Sequence, residues 1–223
     1  MRLTAVRQRI GAACQAAGRD PADVTLIAVT KTWPASDVRL LSGLGVGDVG
    51  ENRDAEAAPK AAQCADLDLT WHFIGQLQTN KAASVVRYAS FVHSVDRMRL
   101  IAALGPAARR AGRVVGCLIE VSLDGDPARG GAVAGEVPAL AEALMAEPGL
   151  VLAGVMAIAP LGMPPREAFT ILLESAAVVR AIRPAATVIS AGMSGDLEDA
   201  IAAGATHLRI GTALLGDRGP RVR

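Results

Sequence analysis

Leu26-Ile27-Ala28-Val29-Thr30-Lys31 is an apolar run that ends in a lysine, and a helix-forming segment follows it almost at once. A short run rich in β-branched residues is typical of a buried strand, and Pro34–Leu44 then has helical composition. The same strand–helix unit recurs along the chain. This alternation predicts parallel strands that are connected by helices.

The repeated unit predicts about eight strands in 223 residues, which is typical of a TIM-type (β/α)8 barrel. The predicted strands are Val24–Val29, Val46–Gly50, Leu69–Ile74, Phe91–Val95, Val114–Val121, Leu152–Ile158, Thr187–Ser190 and His207–Ile210. The predicted helices are residues 1–17, an extra N-terminal helix, and then Pro34–Leu44, Arg53–Cys64, Thr79–Tyr88, Arg97–Ala111, Val133–Ala146, Arg166–Ile182 and Asp196–Ala203. No Pro/Ser-rich linker divides the chain, so we expect an α/β protein with a single domain over residues 1–223.

A doubly wound sheet is the alternative fold, because the same alternation builds it. Residues Gly45–Gly50 even match the GxGxxG pattern of dinucleotide sites. That fingerprint must follow a strand and open a helix, whereas these glycines follow a predicted helix and run into a strand. We therefore interpret them as a helix C-cap and a tight entry into the second strand.

Composition excludes several classes of function. The net charge is +1 and aromatic residues make up 3%, which argues against nucleic-acid and membrane-surface partners. Cys14, Cys64 and Cys117 form no disulfide framework, as expected in a reducing cytoplasm. The longest apolar stretch, residues 150–161, is too short to span a bilayer, and residues 1–10 lack the apolar core of a signal peptide. We expect a soluble, cytoplasmic protein.

Lys31 is the first candidate site residue. In a barrel, residues at the C-terminal ends of the strands line the active mouth, and Lys31 follows the first strand. Burial among apolar neighbours would favour a neutral amine, which condenses with aldehydes to a Schiff base. The alternative is a solvated lysine at a strand end.

Two glycine-containing turns are the candidate phosphate site. Gly192 and Ser194 follow the seventh predicted strand, and Gly211 and Thr212 follow the eighth. The loops after these two strands form the recurrent phosphate site of TIM barrels, where glycines and helix N-termini bring N–H groups close to an anion. Alternatively the glycines are simple turns and Ser194 only caps the next helix.

Arg209 is predicted to point into the barrel. Strand alternation places it on the face opposite Leu208 and Ile210, which should contact the helices. A buried arginine needs an acceptor, and a pyridine nitrogen, a phosphate or a carboxylate would serve. The candidate acceptors within the protein are Glu51, Asp96 and Glu120.

Three further residues have two interpretations each. Asn52 could bond a ring hydroxyl or cap the next helix, and Met156 could pack beside a ligand ring or in the core. His72 is expected in the barrel core, because His72, His93 and His207 lack the spacing of metal ligands. We predict neither a metal site nor a catalytic residue.

Taken together, these segments resemble the pyridoxal-phosphate homeostasis protein family, whose fold is similar to the alanine racemase barrel without its second domain. The segments that carry the resemblance are, in order, Ala28-Val29-Thr30-Lys31-Thr32, Gly50-Glu51-Asn52, His72-Phe73-Ile74-Gly75-Gln76-Leu77-Gln78-Thr79-Asn80-Lys81, Gly154-Val155-Met156-Ala157-Ile158, Gly192-Met193-Ser194 and Arg209-Ile210-Gly211-Thr212. There are departures: Gln76 stands where proline is expected, Arg53 where tyrosine is expected, and the loop at residues 126–131 is more charged than in many members.

The resemblance implies pyridoxal 5′-phosphate (PLP) as the cofactor. It implies that Lys31 carries PLP as a Schiff base. It implies that Ser194, Gly211 and Thr212 bind the phosphate, that Arg209 lies at the pyridine nitrogen, and that Asn52 and Met156 lie near the cofactor. The departures affect the rim of the site, and so its contacts with substrates or partners.

We therefore expect a non-catalytic, monomeric protein that functions in PLP homeostasis. It would bind PLP and deliver it to apo-enzymes. A weak amino-acid racemase is the alternative. A racemase of this type also needs a tyrosine base, and the single tyrosine, Tyr88, is predicted at the wrong end of the barrel. A third possibility is a barrel that binds another phosphorylated metabolite, with Lys31 as an aldolase lysine.

Overall fold

The structure, a computed structural model, describes residues 2–126 and 128–216 and contains a closed parallel barrel. The strands pair in chain order, and the eighth pairs with the first through Leu26–Leu208 and Ile27–Arg209. They are β1 (Thr25–Val29), β2 (Asp48–Glu51), β3 (Thr70–Phe73), β4 (Phe91–Val95), β5 (Val115–Glu120), β6 (Leu150–Met156), β7 (Val188–Ser190) and β8 (His207–Ile210). The predicted TIM-type α/β fold is confirmed, whereas a single domain over residues 1–223 stays a prediction.

Helices cover the outside of the barrel. They are α1 (Arg2–Ala16), α2 (Ala35–Gly43), α3 (Asp54–Gln63), α4 (Ala82–Val85), α5 (Met98–Arg110), α6 (Val137–Ala146), α7 (Pro165–Ile182), α8 (Leu197–Ala202) and α9 (Thr212–Leu215). The predicted N-terminal helix is α1, which buries Val6, Ile10 and Cys14. Arg9 on α1 pairs with Glu198 on α8 at 2.8 Å, and Arg2 donates to the Leu215 carbonyl at 2.7 Å. The extra helix therefore packs beside the last two βα units.

Strand alternation separates an apolar outer layer from a more polar interior. Leu208 and Ile210 are fully buried in the large cluster that the helices cover, as predicted. Arg209, between them, points inward and is 5% exposed. The interior also contains His72 and His93, so His72 belongs to the barrel core, as the sequence predicts.

Several predicted elements differ from the structure, and one strand and one helix illustrate the difference. The sixth strand begins at Leu150, directly after a turn in which Gly149 has a φ of +90°, and it ends at Met156. The predicted helix at Thr79–Tyr88 is instead a 3₁₀ turn at Thr79–Lys81 followed by the short α4. β-Branched Val85 and Val86 lose side-chain freedom in a helix, and both are fully buried where α4 ends.

The glycine-rich segment before β2 is a turn. Helix α2 ends at Gly43, Gly45 has a φ of +76°, and β2 begins only at Asp48. Arg7 on α1 donates to the carbonyl of Gly45 at 3.0 Å. The interpretation as a helix end and strand entry is confirmed. No helix among the described residues is long and apolar enough to cross a membrane.

Candidate functional site

A cavity of about 510 Å³ opens at the C-terminal ends of the strands. It combines a lysine, two arginines and a glutamate with hydroxyl groups, glycine backbone and an apolar wall. Its lining residues are Val29, Lys31, Asn52, Ile74, Gly75, Gln76, Glu120, Arg129, Ile158, Met193, Ser194, Gly195, Arg209, Gly211 and Thr212. We call it the mouth cavity. It brings together Lys31 with both predicted phosphate turns and Arg209.

Lys31 lies two residues beyond β1, on a turn that begins at Thr30. The Trp33 amide donates to the Thr30 carbonyl at 3.0 Å, which closes the turn. Thr32 has a φ of +68°, a left-handed conformation that costs a threonine on the order of 1–3 kcal/mol. The Lys31 side chain is exposed, as in the alternative of a solvated lysine at a strand end, and it is not buried among apolar neighbours. The amine reaches the cavity from its rim.

The two phosphate turns are joined by a hydrogen bond. Ser194 Oγ accepts from the Ala213 amide at 3.1 Å, which links the turn after β7 to α9. The predicted role of Ser194 as cap of the following helix is wrong, because the N-cap of α8 is Asp196, whose carboxylate accepts from the Met193 amide. Helices α8 and α9 have six and four residues, so individual amides and hydroxyls, more than helix dipoles, make this corner attractive to an anion.

The glycines of these turns differ in what they are needed for. Gly192 has a φ of +90°, and a Cβ there would come within 2.6 Å of Ala200 Cβ, so the fold itself requires glycine. Gly192 does not line the cavity. At Gly195 no protein atom lies within 4 Å of an added Cβ, and at Gly211 the nearest, on Val29, is at 3.5 Å. Both line the cavity, so they leave backbone exposed to a ligand.

Arg209 is held by three hydrogen bonds that its guanidinium donates to protein oxygens. Its NH1 donates to the carbonyl and the hydroxyl of Ser190, both at 2.7 Å, and its NH2 donates to the Ala157 carbonyl at 2.8 Å. The acceptors suggested by the sequence were carboxylates, and Glu120 acts only through its charge. Burial lowers the pKa of Arg209 to about 10, and the nearby Glu120 opposes that shift. Of five N–H donors, two have no acceptor within the described residues.

A chain of hydrogen bonds continues from Arg209 through the barrel interior. Arg209 donates to Ser190 Oγ, and Ser190 Oγ lies 3.0 Å from His93 Nδ1. His93 Nε2 lies 2.9 Å from His72 Nδ1, and His72 Nε2 lies 2.9 Å from Asp48 Oδ1. Arginine can only donate, so each link donates to the next as far as the Asp48 carboxylate. Burial keeps the pKa of His93 well below its usual value, in line with this neutral arrangement.

Glu120 and Arg129 also line the cavity, although the sequence indicated Glu120 only as a candidate partner of Arg209 and Arg129 only as part of a charged loop. Glu120, at the end of β5, is 8% exposed, and its Oε2 is buried without a hydrogen-bond partner in the described part of the chain. Burial and Asp96 raise the pKa of Glu120 to about 7, while Arg209, Arg129 and Arg97 lower it. A lone glutamate after an apolar strand in Leu118-Ile119-Glu120 was the available signal. Arg129 comes from the charged loop at residues 126–131, in which Pro127 lies outside the described residues.

Comparison with known proteins places this geometry in a family. Residues 1–219 match the family model of the alanine racemase N-terminal domain. The pyridoxal phosphate homeostasis protein of Mycobacterium tuberculosis (strain ATCC 25618 / H37Rv) is 42% identical over 235 residues, which cover 97% of this chain and 91% of that protein. The chain belongs to the pyridoxal phosphate homeostasis protein family. The resemblance seen in the sequence is confirmed.

Solved structures agree with this family. PipY of Synechococcus elongatus PCC7942, solved with PLP bound, superimposes with a TM-score of 0.82 at 36% identity, over 93% of this chain and 100% of that one. The alanine racemase of Corynebacterium glutamicum superimposes with a TM-score of 0.69 at 16% identity, over 95% of this chain and 60% of that one. At that identity the racemase shows the shared barrel fold alone.

Asn52 and Met156, which the family resemblance places near the cofactor, lie in different surroundings. Asn52 lines the mouth cavity next to Gly75, where an added Cβ would come within 2.2 Å of the Asn52 carbonyl. Its interpretation as a helix cap is wrong, because the N-cap of α3 is Arg53. Met156 is 1% exposed and packs in the barrel core with Leu118 and Ala153, below the residues that line the cavity.

The departures from the family pattern lie at the rim of the mouth. Gln76 lines the cavity and packs against Gly130, where an added Cβ would come within 2.1 Å of the Gln76 amide nitrogen. Arg53 lines a neighbouring cavity of about 620 Å³, which shares Asn52 and Gln76 with the mouth. The predicted effect of these departures on the rim therefore agrees with their positions.

Proposed function

We propose that this chain binds PLP in the mouth cavity and takes part in PLP homeostasis. The observation that carries the proposal is that Lys31 and the turns at Ser194–Gly195 and Gly211–Thr212 line one cavity. The homologous PipY, which was solved with PLP bound, supports it. PLP supplies an aldehyde that condenses with a lysine amine, releasing water and leaving a Schiff base.

The residues present fit a phosphorylated pyridine. The hydroxyls of Ser194 and Thr212, with the exposed backbone at Gly195 and Gly211, supply donors for the phosphate. Within residues 2–126 and 128–216, the amides of Gly195 and Thr212 donate to no protein acceptor. We assign the ring hydroxyl to Asn52 and the ring nitrogen to the free donors of Arg209. Met156 would support the ring only through the layer of the core that it packs in.

We further propose a carrier that passes PLP to apo-enzymes without catalysis of its own. A donor-only arginine leaves the ring nitrogen unprotonated, and the ring is then a weak electron sink. Tyr88, the single tyrosine, does not line the mouth cavity, and its hydroxyl lies 3.4 Å from Asp54. Burial also raises the pKa of Tyr88, which is the wrong direction for a base. The alternative, a weak amino-acid racemase, lacks the second base that this chemistry requires.

The test is reduction of the protein with borohydride in the presence of PLP. We expect a visible absorption band before reduction and, after reduction, a pyridoxyl phosphate adduct on the peptide containing Lys31. Lys31→Ala should lose both signals. Lys81→Ala is the matched control, because Lys81 is an exposed lysine that does not line the mouth cavity. No band and no adduct in the wild type would contradict PLP binding and would favour another phosphorylated metabolite.

A second measurement separates the carrier from the racemase. The wild-type protein is loaded with PLP and incubated in D2O with each enantiomer of alanine, and exchange at Cα is followed by NMR. A carrier should show no exchange above that of free PLP. Exchange that depends on Lys31 would favour the racemase.

Monomeric state and cytoplasmic location remain predictions. All the residues proposed to hold PLP come from one chain, which supports a monomer with a complete site. Light scattering over a concentration series measures the mass, and a stable dimer that loses PLP on dilution would contradict the monomer.

A further inference from the structure

The turn that bears Lys31 is fixed from behind by the neighbouring βα unit. The Thr30 amide donates to the Gly50 carbonyl at 3.0 Å, which continues the pairing of β1 with β2. The Thr30 carbonyl accepts from the Trp33 amide at 3.0 Å and from Lys60 Nζ at 2.8 Å. The backbone amide and carbonyl of Thr30, directly before Lys31, therefore both form hydrogen bonds.

Lys60 on α3 is buried together with Glu51, the last residue of β2. The lysine is 6% exposed and the glutamate is 0% exposed, and Lys60 Nζ donates to Glu51 Oε1 in a short ion pair. The Thr30 hydroxyl donates to the same Glu51 Oε1 at 2.6 Å. Thr30 therefore contacts both members of the pair.

A buried ion pair of this kind is a poor way to gain stability, because desolvation offsets most of the attraction. Here Glu51 Oε2 is also buried without a hydrogen-bond partner in the described part of the chain. Burial raises the pKa of Glu51, although the hydrogen bonds from Lys60 and Thr30 oppose that rise. Apolar residues of similar volume would stabilise the core equally well. We therefore look for the role of the pair in the geometry that it imposes on Thr30.

The other side of Lys31 is held by the same helix. The Thr32 amide donates to Glu56 Oε2 on α3 at 3.0 Å. Thr32 is the residue with a φ of +68°, the one described non-glycine residue with positive φ. A conformation of this cost persists only where the surroundings impose it, and the contact with Glu56 is one such constraint.

We propose that Glu51, Glu56 and Lys60 are positioning residues that hold the peptide groups on both sides of Lys31, so that its amine reaches the bound aldehyde. We call these three residues the brace. Lys31 has a long, exposed side chain, and without a fixed backbone its amine would sample many directions. Fixing Thr30 and Thr32 removes part of that freedom before the ligand arrives. The inference rests on the proposed binding of PLP and names residues outside the mouth cavity.

The test compares two ligands that differ only at the reactive carbon. PLP has the aldehyde, and pyridoxine 5′-phosphate has an alcohol in its place and binds without a covalent bond. The main variant is the double substitution Glu51→Gln with Lys60→Met, which removes both buried charges together and so leaves none uncompensated. If the brace positions Lys31, affinity for PLP should fall by on the order of tenfold or more, while affinity for pyridoxine 5′-phosphate stays within about twofold.

Glu56→Ala is the second variant, because it disturbs no fully buried charge and keeps the test valid if the double variant fails to fold. It should likewise lower the affinity for PLP more than the affinity for pyridoxine 5′-phosphate, but by a smaller factor than the double variant. Lys81→Met is the matched control and should change neither affinity, since Lys81 lies outside the brace and the mouth cavity. The rate of borohydride-trapped adduct formation should follow the PLP affinities.

Three outcomes would overturn the inference. Equal losses for the two ligands would mean that these residues only stabilise the fold. Unchanged PLP affinity in a folded Glu56→Ala variant and a folded double variant would mean that the turn needs no brace. An absent adduct in the wild type would overturn the proposed function, and the inference with it, so the two failures are distinguishable.

Discussion

The two sides of the mouth cavity are built differently. On the lysine side, the turn Thr30–Trp33 is held by the buried charged side chains of Glu51 and Lys60. On the side of the proposed phosphate site, called the phosphate side, the turns after β7 and β8 are shaped by their own backbone, with Gly192 at a φ of +90° and one hydrogen bond from Ala213 to Ser194. Single side-chain changes should therefore disturb the first side easily and the second only where backbone geometry or Arg209 is affected.

Arg209 is the exception on the phosphate side, and its removal should have the largest effect. Arg209→Leu breaks three hydrogen bonds and leaves the buried carbonyls of Ser190 and Ala157 without this donor. We expect the free energy of unfolding to fall by roughly 3–5 kcal/mol. Urea titration measures it, with the exposed Arg99→Leu as control, expected within about 0.5 kcal/mol of wild type. A loss below about 1 kcal/mol would mean that backbone alone holds this side.

Glu120, at the end of β5, lines the mouth cavity and should make stability depend on pH. The folded protein raises its pKa from 4.5 to about 7, so the native state keeps a proton that the unfolded chain has lost. This contribution is fully present below pH 4.5 and is lost as the pH rises through 7, by at most about 3 kcal/mol. Glu120→Gln should flatten the difference between pH 4.5 and 8 in thermal or urea unfolding.

Glu142→Gln, on the exposed face of α6, is the control for this pH series and should keep the wild-type profile. Glu120 also lines the cavity, so its negative charge would repel a phosphorylated ligand. Affinity for PLP should therefore weaken in the wild type as the pH rises through 7. A profile for Glu120→Gln that matches wild type would show that the carboxyl titrates normally.

A pair of glycines on the phosphate side separates backbone from ligand effects. Gly192→Ala places a Cβ at 2.6 Å from Ala200 Cβ with a strained φ, so unfolding should become easier by on the order of 1–3 kcal/mol. Gly195→Ala meets no protein atom within 4 Å and should leave stability within about 0.5 kcal/mol. It should instead weaken PLP binding, because the methyl enters the cavity. Calorimetry measures the stability of the two variants, and fluorescence titration measures their affinity for PLP. If both variants changed stability and affinity alike, the different roles assigned to Gly192 and Gly195 would be contradicted.

The hydroxyls of the phosphate side should mainly affect the binding of phosphorylated ligands. Ser194→Ala with Thr212→Ala should weaken PLP by roughly tenfold for each charge-assisted hydrogen bond lost, while pyridoxal, which has no phosphate, is nearly unaffected. Equilibrium titration with both ligands measures the ratio. Equal weakening of PLP and pyridoxal would exclude a phosphate role for these hydroxyls.

Local patterns in the sequence predicted the barrel well. β4 and β8 begin and end where the sequence places them, because each is a short run with a polar or glycine residue directly before and after it. The mouth position of Lys31 and of the two turns follows from the rule that strand C-termini meet at one face. The inward direction of Arg209 follows from alternation along β8.

What the sequence could not supply were partnerships between distant residues. Lys60 reads as an ordinary helix lysine, and only the packing of α3 against β2 shows that it is buried beside Glu51. The sequence left open whether Lys31 is buried or solvated, because its exposure depends on how the turn beyond Val29 packs. His72 and His93 lie 21 residues apart, and closure of the barrel brings them into contact with each other.

The donor chain from Arg209 to Asp48 gives the barrel core a direction. All its hydrogen bonds run the same way, with the donor of each bond on the side of the guanidinium and the acceptor on the side of the carboxylate. Turning one imidazole over would require its neighbours to turn as well, so the whole row has a single low-energy arrangement. Asp48, which is partly exposed at the opposite face of the barrel, is therefore linked to the mouth through this row of hydrogen bonds. A change of charge at that distant surface would alter how firmly the guanidinium of Arg209 is held.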